Sequence, residues 1–311
     1  MPVLTVRHVT TYRYKQPVSL GEHRILFRPR DSYDQRLIEA ALEIAPEPSD
    51  LRWIHDVFGN CVAIARFGHR AQELRFVCTI RLDHSPLNAL DFRIDEHART
   101  YPFAYGADEM PDLIRCIERQ YLDPDHELDG WARQFLRRKG PTDTYELLTA
   151  ITLAIRQRFT YVARAEKGVQ SPLSTLKLGS GSCRDFAVLM MEAARALGFA
   201  ARFVSGYLYG PTRERDSHVG GGSTHAWVQV YLTGAGWVEF DPTNGIVGNR
   251  DLIRVAVARD PQQAVPIWGT WTGFPSDNIG MSVEVEVTAD AAAGAAPDAP
   301  ASRAPRSGAG P

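Results

Sequence analysis

Apolar and polar side chains alternate along the first part of the chain with the two-residue period of half-buried β-strands. Proline, glycine, aspartate and asparagine separate the alternating runs, as expected of turns between short strands. Several short strands with regular turns predict an antiparallel β domain over residues 1–85. The runs are 3–14, 25–27, 37–44, 52–55, 62–67 and 73–80.

The pattern changes to a helical period after this domain. Residues 86–142 contain several prolines that separate short segments. Apolar residues recur three to four positions apart in 125–139, which lies in this region, and in 145–159, which follows it. We interpret 86–142 as a helical connection to a core that spans residues 143–288.

A third helix is predicted directly after a glycine-rich loop. Ser182 and Asp185 fit the S-x-x-D capping box that begins a helix, and Gly198 is a typical helix end. The apolar residues between them recur at helical spacing and predict one buried face. They are Phe186, Leu189, Met190, Ala193, Ala194 and Leu197.

The rest of the core alternates again, which predicts a helix packed on an antiparallel sheet and an α+β fold. Residues 210–224 are rich in glycine and charge, which indicates a loop, and the Ala/Pro/Gly tail 289–311 is predicted to be disordered. The predicted strands are 200–209, His225–Leu232, 237–241, 254–258 and 282–287.

Composition narrows the class of protein. The 311 residues carry a net charge of −2 without a long basic run, so nothing points to nucleic acid or an anionic membrane as partner. The N-terminus lacks the pattern of a secretory signal, and no apolar run approaches a membrane span, so we expect a cytoplasmic protein. The cysteines are scattered and are expected to be reduced thiols. They are Cys61, Cys78, Cys116 and Cys183.

Cys183 differs from the other cysteines because it falls at the predicted start of a helix. The positive end of the helix dipole favours a thiolate, which is the nucleophilic form of cysteine. The preceding glycines Gly179 and Gly181 would leave room for a substrate. The sequence around Cys183 is equally compatible with an ordinary buried cysteine after a loop.

A nucleophilic thiolate needs a base and a group that orients the base. His225 begins one predicted strand, and Asp241 ends the next. Pairing of Leu232 with Trp237 would place these two side chains on opposite faces, so we expect an odd-length loop or a glycine bulge that brings them to one face. Taken singly, they are more simply a packed histidine and a strand-end aspartate.

Three segments together resemble the motifs of the transglutaminase-like superfamily: 181–187 (GSCRDFA), 225–230 (HAWVQV) and 237–243 (WVEFDPT). The segment 11–30 also resembles the β domain that precedes the core in bacterial members. The resemblance implies a papain-like core in which Cys183, His225 and Asp241 form a catalytic triad. The sequence has no clustered acidic loop that would argue for calcium, so we expect no cofactor and no metal.

The implied activity is acyl transfer from a peptide or amide carbonyl of a peptide or protein substrate, through a thioester. Hydrolysis by a peptidase or amidase is the first expectation. Transfer to an amine, a zinc site built from the same three residues and a non-catalytic binding module remain alternatives. The oligomeric state is not predicted.

Such a reaction also needs donors for the oxyanion. The backbone N–H of Cys183 at the helix N-terminus is the natural first donor. The sequence does not single out a second one, and Tyr161, Gln170 and Trp227 are candidates that are more simply structural.

Overall fold

The computed structural model describes residues 3–85, 92–164, 167–210 and 222–290. The predicted tail therefore lies almost wholly outside the described residues, as does most of the predicted loop 210–224. Within these ranges the fold is α+β, as expected. Its helices are α1 (Met110–Ile117), α2 (Glu127–Arg133), α3 (Thr144–Arg158), α4 (Pro172–Leu178) and α5 (Cys183–Ala196).

The strands form two larger sheets and two short ladders. Those numbered β1 to β7 are β1 (Val3–Ile25), β2 (Gln35–Ala45), β3 (Asp50–His55), β4 (Cys61–Arg66), β5 (Arg70–His84), β6 (Thr100–Tyr101) and β7 (Thr142–Asp143). Those numbered β8 to β12 are β8 (Thr160–Tyr161), β9 (Ser180–Gly181), β10 (Ala201–Leu208), β11 (His225–Leu232) and β12 (Gly236–Asp241). The last four are β13 (Ile246–Val247), β14 (Leu252–Ala258), β15 (Ile267–Thr272) and β16 (Asn278–Ala289).

The N-terminal sheet is built around the long strand β1, in the order β2-β5-β1-β4-β3. The C-terminal strands β15 and β16 also pair with β1, with Val6 opposite Val287. The core was predicted to include all of 143–288, whereas β15 and β16 complete the N-terminal sheet. Alternation identifies a strand but carries no information about its partner. The pattern therefore could not show that these two strands pair with β1.

The core consists of the sheet β13-β12-β11-β10-β14 with α5 packed on it. Alternate residues of β11, among them Ala226, Val228 and Val230, join the buried face of α5 in one apolar cluster. Tyr207, Ile253 and Val255 pack instead with the N-terminal sheet. Apolar side chains of the core sheet therefore contact both α5 and the N-terminal sheet.

The helices differ from the prediction mainly in length. Helix α3 agrees closely with the predicted 145–159, and α5 begins at Cys183 and is followed by Gly198 with φ of 85°. Helix α2 is shorter than the predicted 125–139. The seven- or eight-residue helices α1 and α4 were not predicted, because so few turns give no clear period. None of the described helices is long and apolar enough to cross a lipid bilayer.

A buried ion pair fixes the C-terminal part of α5. The carboxylate of Glu192 accepts hydrogen bonds from Arg195 (2.8 Å), Arg119 (3.1 Å) and the backbone of Gln120. The side chains of Glu192 and Arg195 are fully buried. This carboxylate therefore joins α5 to the segment between α1 and α2.

We predict that Glu192→Gln lowers the free energy of unfolding by about 3 kcal/mol, because it leaves a buried guanidinium without its counter-charge. Glu146→Gln is the matched control, since Glu146 forms an exposed ion pair with Arg137 and should cost less than about 1 kcal/mol. Urea denaturation at pH 7 measures both values. Equal losses in the two variants would contradict a structural role for the buried pair.

Candidate active site

Cys183 is the first residue of α5, and a short parallel ladder holds the loop before it. Strand β8 pairs with β9, so that Tyr161 lies opposite Gly181. The backbone N–H of Val162 donates to the carbonyl of Gly181 at 2.9 Å. The ladder places Tyr161 beside the residues that lead into the helix.

The buried carboxylate of Asp185 fixes the same loop from the helix side. It accepts hydrogen bonds from the backbone N–H and the hydroxyl of Ser182, both at 2.8 Å, and from Arg164 and the backbone of Gln170, both at 2.7 Å. Burial opposes ionisation, but the N–H donors of Gln170 and Ser182 and the Arg164 guanidinium outweigh it and lower the pKa of Asp185. The N-terminus of α5 thus carries a stabilised negative charge, as the capping motif predicted.

The hairpin between β11 and β12 has the odd-length loop that the sequence required. Leu232 pairs with Gly236, which leaves the three-residue loop 233–235. Gly236 has a φ of 77°, a conformation that glycine adopts without strain. In this register the residue opposite Trp227 is Asp241, which is therefore the diagonal neighbour of His225 on one face. The parity prediction is confirmed.

His225 and Asp241 form a direct hydrogen bond of 2.8 Å between Nε2 and Oδ2. Both residues are buried, with exposures of 1% and 0%. Asp241 also accepts hydrogen bonds from the backbone N–H of Thr243 at 2.8 Å, the side-chain amide of Asn244 at 2.9 Å and the backbone N–H of Asn244 at 3.4 Å. Burial disfavours the Asp241 carboxylate, but His225 and these donors lower its pKa nonetheless.

Asn244 is a member of the site that the sequence analysis missed. Its amide donates to the same carboxylate oxygen that His225 contacts. The available signal was the turn-forming segment Asp-Pro-Thr-Asn-Gly at 241–245, in which an aspartate side chain binds the backbone two residues on. That pattern predicts the bond from Thr243 but not the contribution of the asparagine side chain.

The structure brings the Cys183 thiol close to His225 and Tyr161. Burial lowers the pKa of His225, but Asp241 and the Cys183 thiol outweigh it and raise this pKa to about 10. Burial and Cys183 likewise raise the pKa of Tyr161. The Nδ1 atom of His225 has no hydrogen-bond partner among the described residues, so the ring nitrogen opposite the Asp241 bond is available for proton transfer.

The three candidates for a second oxyanion donor have different surroundings. The side-chain amide of Gln170 donates to the carbonyl of Ser180 at 3.0 Å and supports the loop. The Trp227 ring stacks on His225 with centroids 6.0 Å apart, and its buried indole N–H lacks a partner in the described part of the chain. The phenol of Tyr161 is the one whose pKa responds to Cys183.

The remaining cysteines lie in other environments. Burial raises the pKa of Cys78 to about 12 and also raises that of Cys116. Cys183 is 7% exposed and borders the apolar cluster of α5 as well as His225. Over the described ranges, no group of three or more His, Cys, Asp or Glu side chains has the arrangement of a metal site.

Comparison with protein families gives two matches. Residues 131–242 match the transglutaminase-like superfamily, and residues 4–83 match the bacterial transglutaminase-like N-terminal region. Together these matches cover more than half of the chain and include Cys183, His225 and Asp241. They agree with the resemblance noted in the three motifs.

Individual proteins resemble the chain over nearly its whole length. An uncharacterized protein of Mycobacterium leprae is 27% identical over 292 residues, which are 91% of this chain and 98% of that protein. One from Mycobacterium tuberculosis is 28% identical over 289 residues, 90% of this chain and 91% of that protein. The crystal structure of a candidate cysteine protease from Cytophaga hutchinsonii superposes with a TM-score of 0.68 at 20% identity, covering 93% of this chain and 91% of its own. This structural likeness shows that the fold is shared.

We predict that iodoacetamide modifies Cys183 fastest among the four cysteines near pH 7. The His225 imidazolium would stabilise its thiolate, whereas burial keeps Cys78 and Cys116 protonated. His225→Ala should slow the reaction about tenfold or more, which is the difference between a thiolate and a mostly protonated thiol. Mass spectrometry of timed digests gives the rate at each cysteine.

His55→Ala, at an exposed position on β3, is the control and should leave the rate of Cys183 modification unchanged. A Cys183 that reacts no faster than Cys61 would contradict an activated sulfur.

We also predict a pH-dependent contribution of His225 to stability that requires Asp241. An unfolded-state histidine loses its proton near about pH 6.5, whereas folded His225 keeps it to higher pH. The folded state then binds more protons than the unfolded state, so this contribution is complete below the unfolded-state pKa and is lost as the pH rises through the folded-state pKa.

The experiment uses the Cys183→Ala background so that the thiol does not titrate. Between pH 6 and 10, unfolding free energies of Cys183→Ala should fall more steeply than those of Cys183→Ala/Asp241→Asn, as judged by urea denaturation. Parallel curves would mean that Asp241 does not hold a proton on His225.

Proposed function

Because the chain belongs to the transglutaminase-like superfamily, and because a buried Asp241 holds His225 beside Cys183, we propose that the protein is a cysteine-dependent acyl-transfer enzyme. Its substrate is a peptide or amide, and its reaction is hydrolysis through a thioester. The observation that carries the proposal is the difference in bonding between the two ring nitrogens of His225. Nε2 is bound to Asp241 at 2.8 Å, whereas Nδ1 has no partner among the described residues.

In the first half of the reaction, the Cys183 thiolate attacks the carbonyl carbon of the substrate and forms a carbon–sulfur bond. The carbonyl oxygen becomes an oxyanion. As the intermediate collapses, the carbon–nitrogen bond breaks, and the leaving nitrogen takes a proton from Nδ1 of His225. The products are a free amine and a thioester on Cys183, with His225 left neutral.

Water resolves the thioester in the second half. Nδ1 of the neutral His225 accepts a proton from water while the water oxygen attacks the acyl carbon. The carbon–sulfur bond then breaks, which releases a carboxylic acid and restores the thiolate beside a protonated imidazole. Throughout, Asp241 keeps the proton on Nε2 and stabilises the imidazolium.

The oxyanion requires donors at the N-terminus of α5. The backbone N–H of Cys183 belongs to the first turn of the helix, which has no intrahelical acceptor for this group. The phenol of Tyr161 lies near the same sulfur and is the candidate for the second donor. Its raised pKa keeps the phenol protonated, as a donor must be.

Hydrolysis and amine transfer share the thioester step and differ in the molecule that resolves it. The structurally similar Cytophaga hutchinsonii protein is named as a candidate cysteine protease, which favours water as the acceptor. Nothing in the arrangement of Cys183, His225 and Asp241 selects against a primary amine, so amine transfer is the alternative outcome of the test. Cytoplasmic location and a peptide or protein partner stay predictions.

We predict that the wild-type protein converts members of a peptide library by cleavage or by deamidation, and that Cys183→Ala does not. Mass spectrometry with and without a primary amine distinguishes cleaved peptides, deamidated peptides and amine adducts. Asp241→Asn should reduce turnover by about 10³-fold or more, because the imidazole then loses its fixed tautomer and its counter-charge.

Two controls accompany the measurement of turnover. Asp56→Asn removes a carboxylate that accepts hydrogen bonds from Phe58 and Asn60 of the β3–β4 turn, and it should retain full turnover. Circular dichroism verifies that each variant is folded. Conversion that persists in Cys183→Ala would overturn the proposed mechanism, and exclusive formation of amine adducts would replace hydrolysis with transfer.

A further inference from the structure

Two cavities lie between the N-terminal sheet, α1 and the core sheet, away from Cys183. The larger has a volume of about 570 Å³ and the smaller about 390 Å³. Arg202 and Trp237 line both of them. Clefts between packed units of a protein are common places for small-ligand binding.

Arg202 is held in a fixed orientation by a side-chain amide and an aromatic ring. Its Nε donates to the side-chain oxygen of Gln229 at 2.7 Å, and its guanidinium lies 4.0 Å from the centroid of the Trp237 ring. Among the described residues, no carboxylate forms an ion pair with it. Burial and the nearby cations Arg254 and Arg30 lower its pKa to about 10, although Cys116 and the Glu239 carboxylate act in the opposite direction. An arginine in this position is poised to bind an anion.

Two carboxylates near Arg202 form ion pairs with another arginine. Arg254 pairs with Glu239 and with Asp34 at the rim of the smaller cavity. Glu239 also accepts a hydrogen bond from Gln229 at 2.6 Å. The lining of the smaller cavity therefore holds as many carboxylates as arginines, namely Asp31, Asp34 and Glu239 against Arg30, Arg202 and Arg254. Two of these carboxylates are paired with Arg254, and the third, Asp31, accepts a hydrogen bond from the backbone of Leu37.

A second arginine lines the smaller cavity without a carboxylate partner in the described part of the chain. The guanidinium of Arg30 donates to the carbonyl of Phe58 at 3.3 Å. Arg30 and Arg202 line the same cavity, and the Arg30 cation is one of the charges that lower the pKa of Arg202. An anion between Arg30 and Arg202 would relieve this repulsion.

We propose that the smaller cavity binds a small organic carboxylate between Arg202 and Arg30, above the Trp237 ring. A carboxylate presents two oxygens that match the edge of a guanidinium. The larger cavity is lined by Asp108, Glu109 and Asp112 together with Arg115 and Arg259, and none of these three carboxylates forms an ion pair within the described residues. In the smaller cavity Arg254 pairs with two of the three carboxylates, so we choose the smaller cavity. The apolar part of the ligand would contact the aromatic residues Tyr33 and Phe92.

This site is separate from the candidate active site. Gln229, which holds Arg202, is four residues along β11 from His225, a separation of about 13 Å. The fully buried Trp227 lies between them on the same face of the strand. Binding of the carboxylate therefore does not depend on the proposed reaction at Cys183.

The test compares N-acetylglycine with N-acetylglycinamide, which differ in the carboxylate. Nuclear magnetic resonance at constant ionic strength follows the Arg202 Nε–H and the Trp237 indole N–H, assigned with Arg202→Lys and Trp237→Phe. In the wild-type protein we expect saturable shifts with the acid and none with the amide. Arg202→Gln and Arg30→Gln should each weaken binding of the acid about tenfold or more, the effect of removing a charged hydrogen-bond donor.

Arg36→Gln is the matched control, because Arg36 is exposed on β2 close to the same loop and lines neither cavity. It should bind the acid with unchanged affinity. Equal binding of acid and amide, unchanged affinity in Arg202→Gln, or no shift with the acid would each overturn the proposal. Tighter binding of inorganic phosphate than of N-acetylglycine would overturn the choice of a carboxylate. The comparison of acid and amide in the wild-type protein needs no variant, so a failure of Arg202→Gln to fold would not prevent the test.

Discussion

The hydrogen bond between Asp241 and His225 is the constraint around which the site is arranged. A carboxylate with no exposure to solvent is costly unless hydrogen bonds and a counter-charge compensate it. Here one oxygen receives His225 and Asn244, and the other receives the backbone of Thr243. The groups that compensate the burial of Asp241 thus come from one turn and one neighbouring strand. The main counter-charge to its carboxylate is the His225 imidazolium. Removing that charge would leave Asp241 buried with only neutral donors.

The position of the sulfur is fixed by a different set of interactions. At its N-terminus, α5 is tied by Asp185 to Ser182, Gln170 and Arg164. One turn from its C-terminus, Glu192 and Arg195 tie the same helix to the segment between α1 and α2. Because both parts of the helix are anchored, small displacements of Cys183 relative to His225 are resisted. Such rigidity is what a reaction that depends on close approach of two side chains requires.

Much of this site could be predicted because its determinants are local in sequence. Ser182 and Asp185 predict the start of a helix. The length of the β11–β12 loop determines on which face of the sheet Asp241 lies. The missed members depend on tertiary structure. Arg164 reaches Asp185 from another segment, and the role of Asn244 depends on how the turn after Asp241 folds back. Gln170 was a candidate oxyanion donor that is more simply structural, and its amide does donate to the carbonyl of Ser180. No local pattern in the sequence indicates that this carbonyl is its partner.

The same distinction applies to the fold. The alternation in 282–287 predicted a strand, yet its pairing with β1 joins residues that are more than 270 positions apart in the chain. Such pairing depends on which edge of β1 is left open once β5 has bound the other, and alternation does not contain that information. Because β16 completes the N-terminal sheet, the chain runs from this sheet through the core and back to the same sheet. The N-terminal sheet is therefore connected to both the first and the last residues of the core. The cavities lined by Arg202 lie at this junction, and their shape therefore depends on both parts being folded.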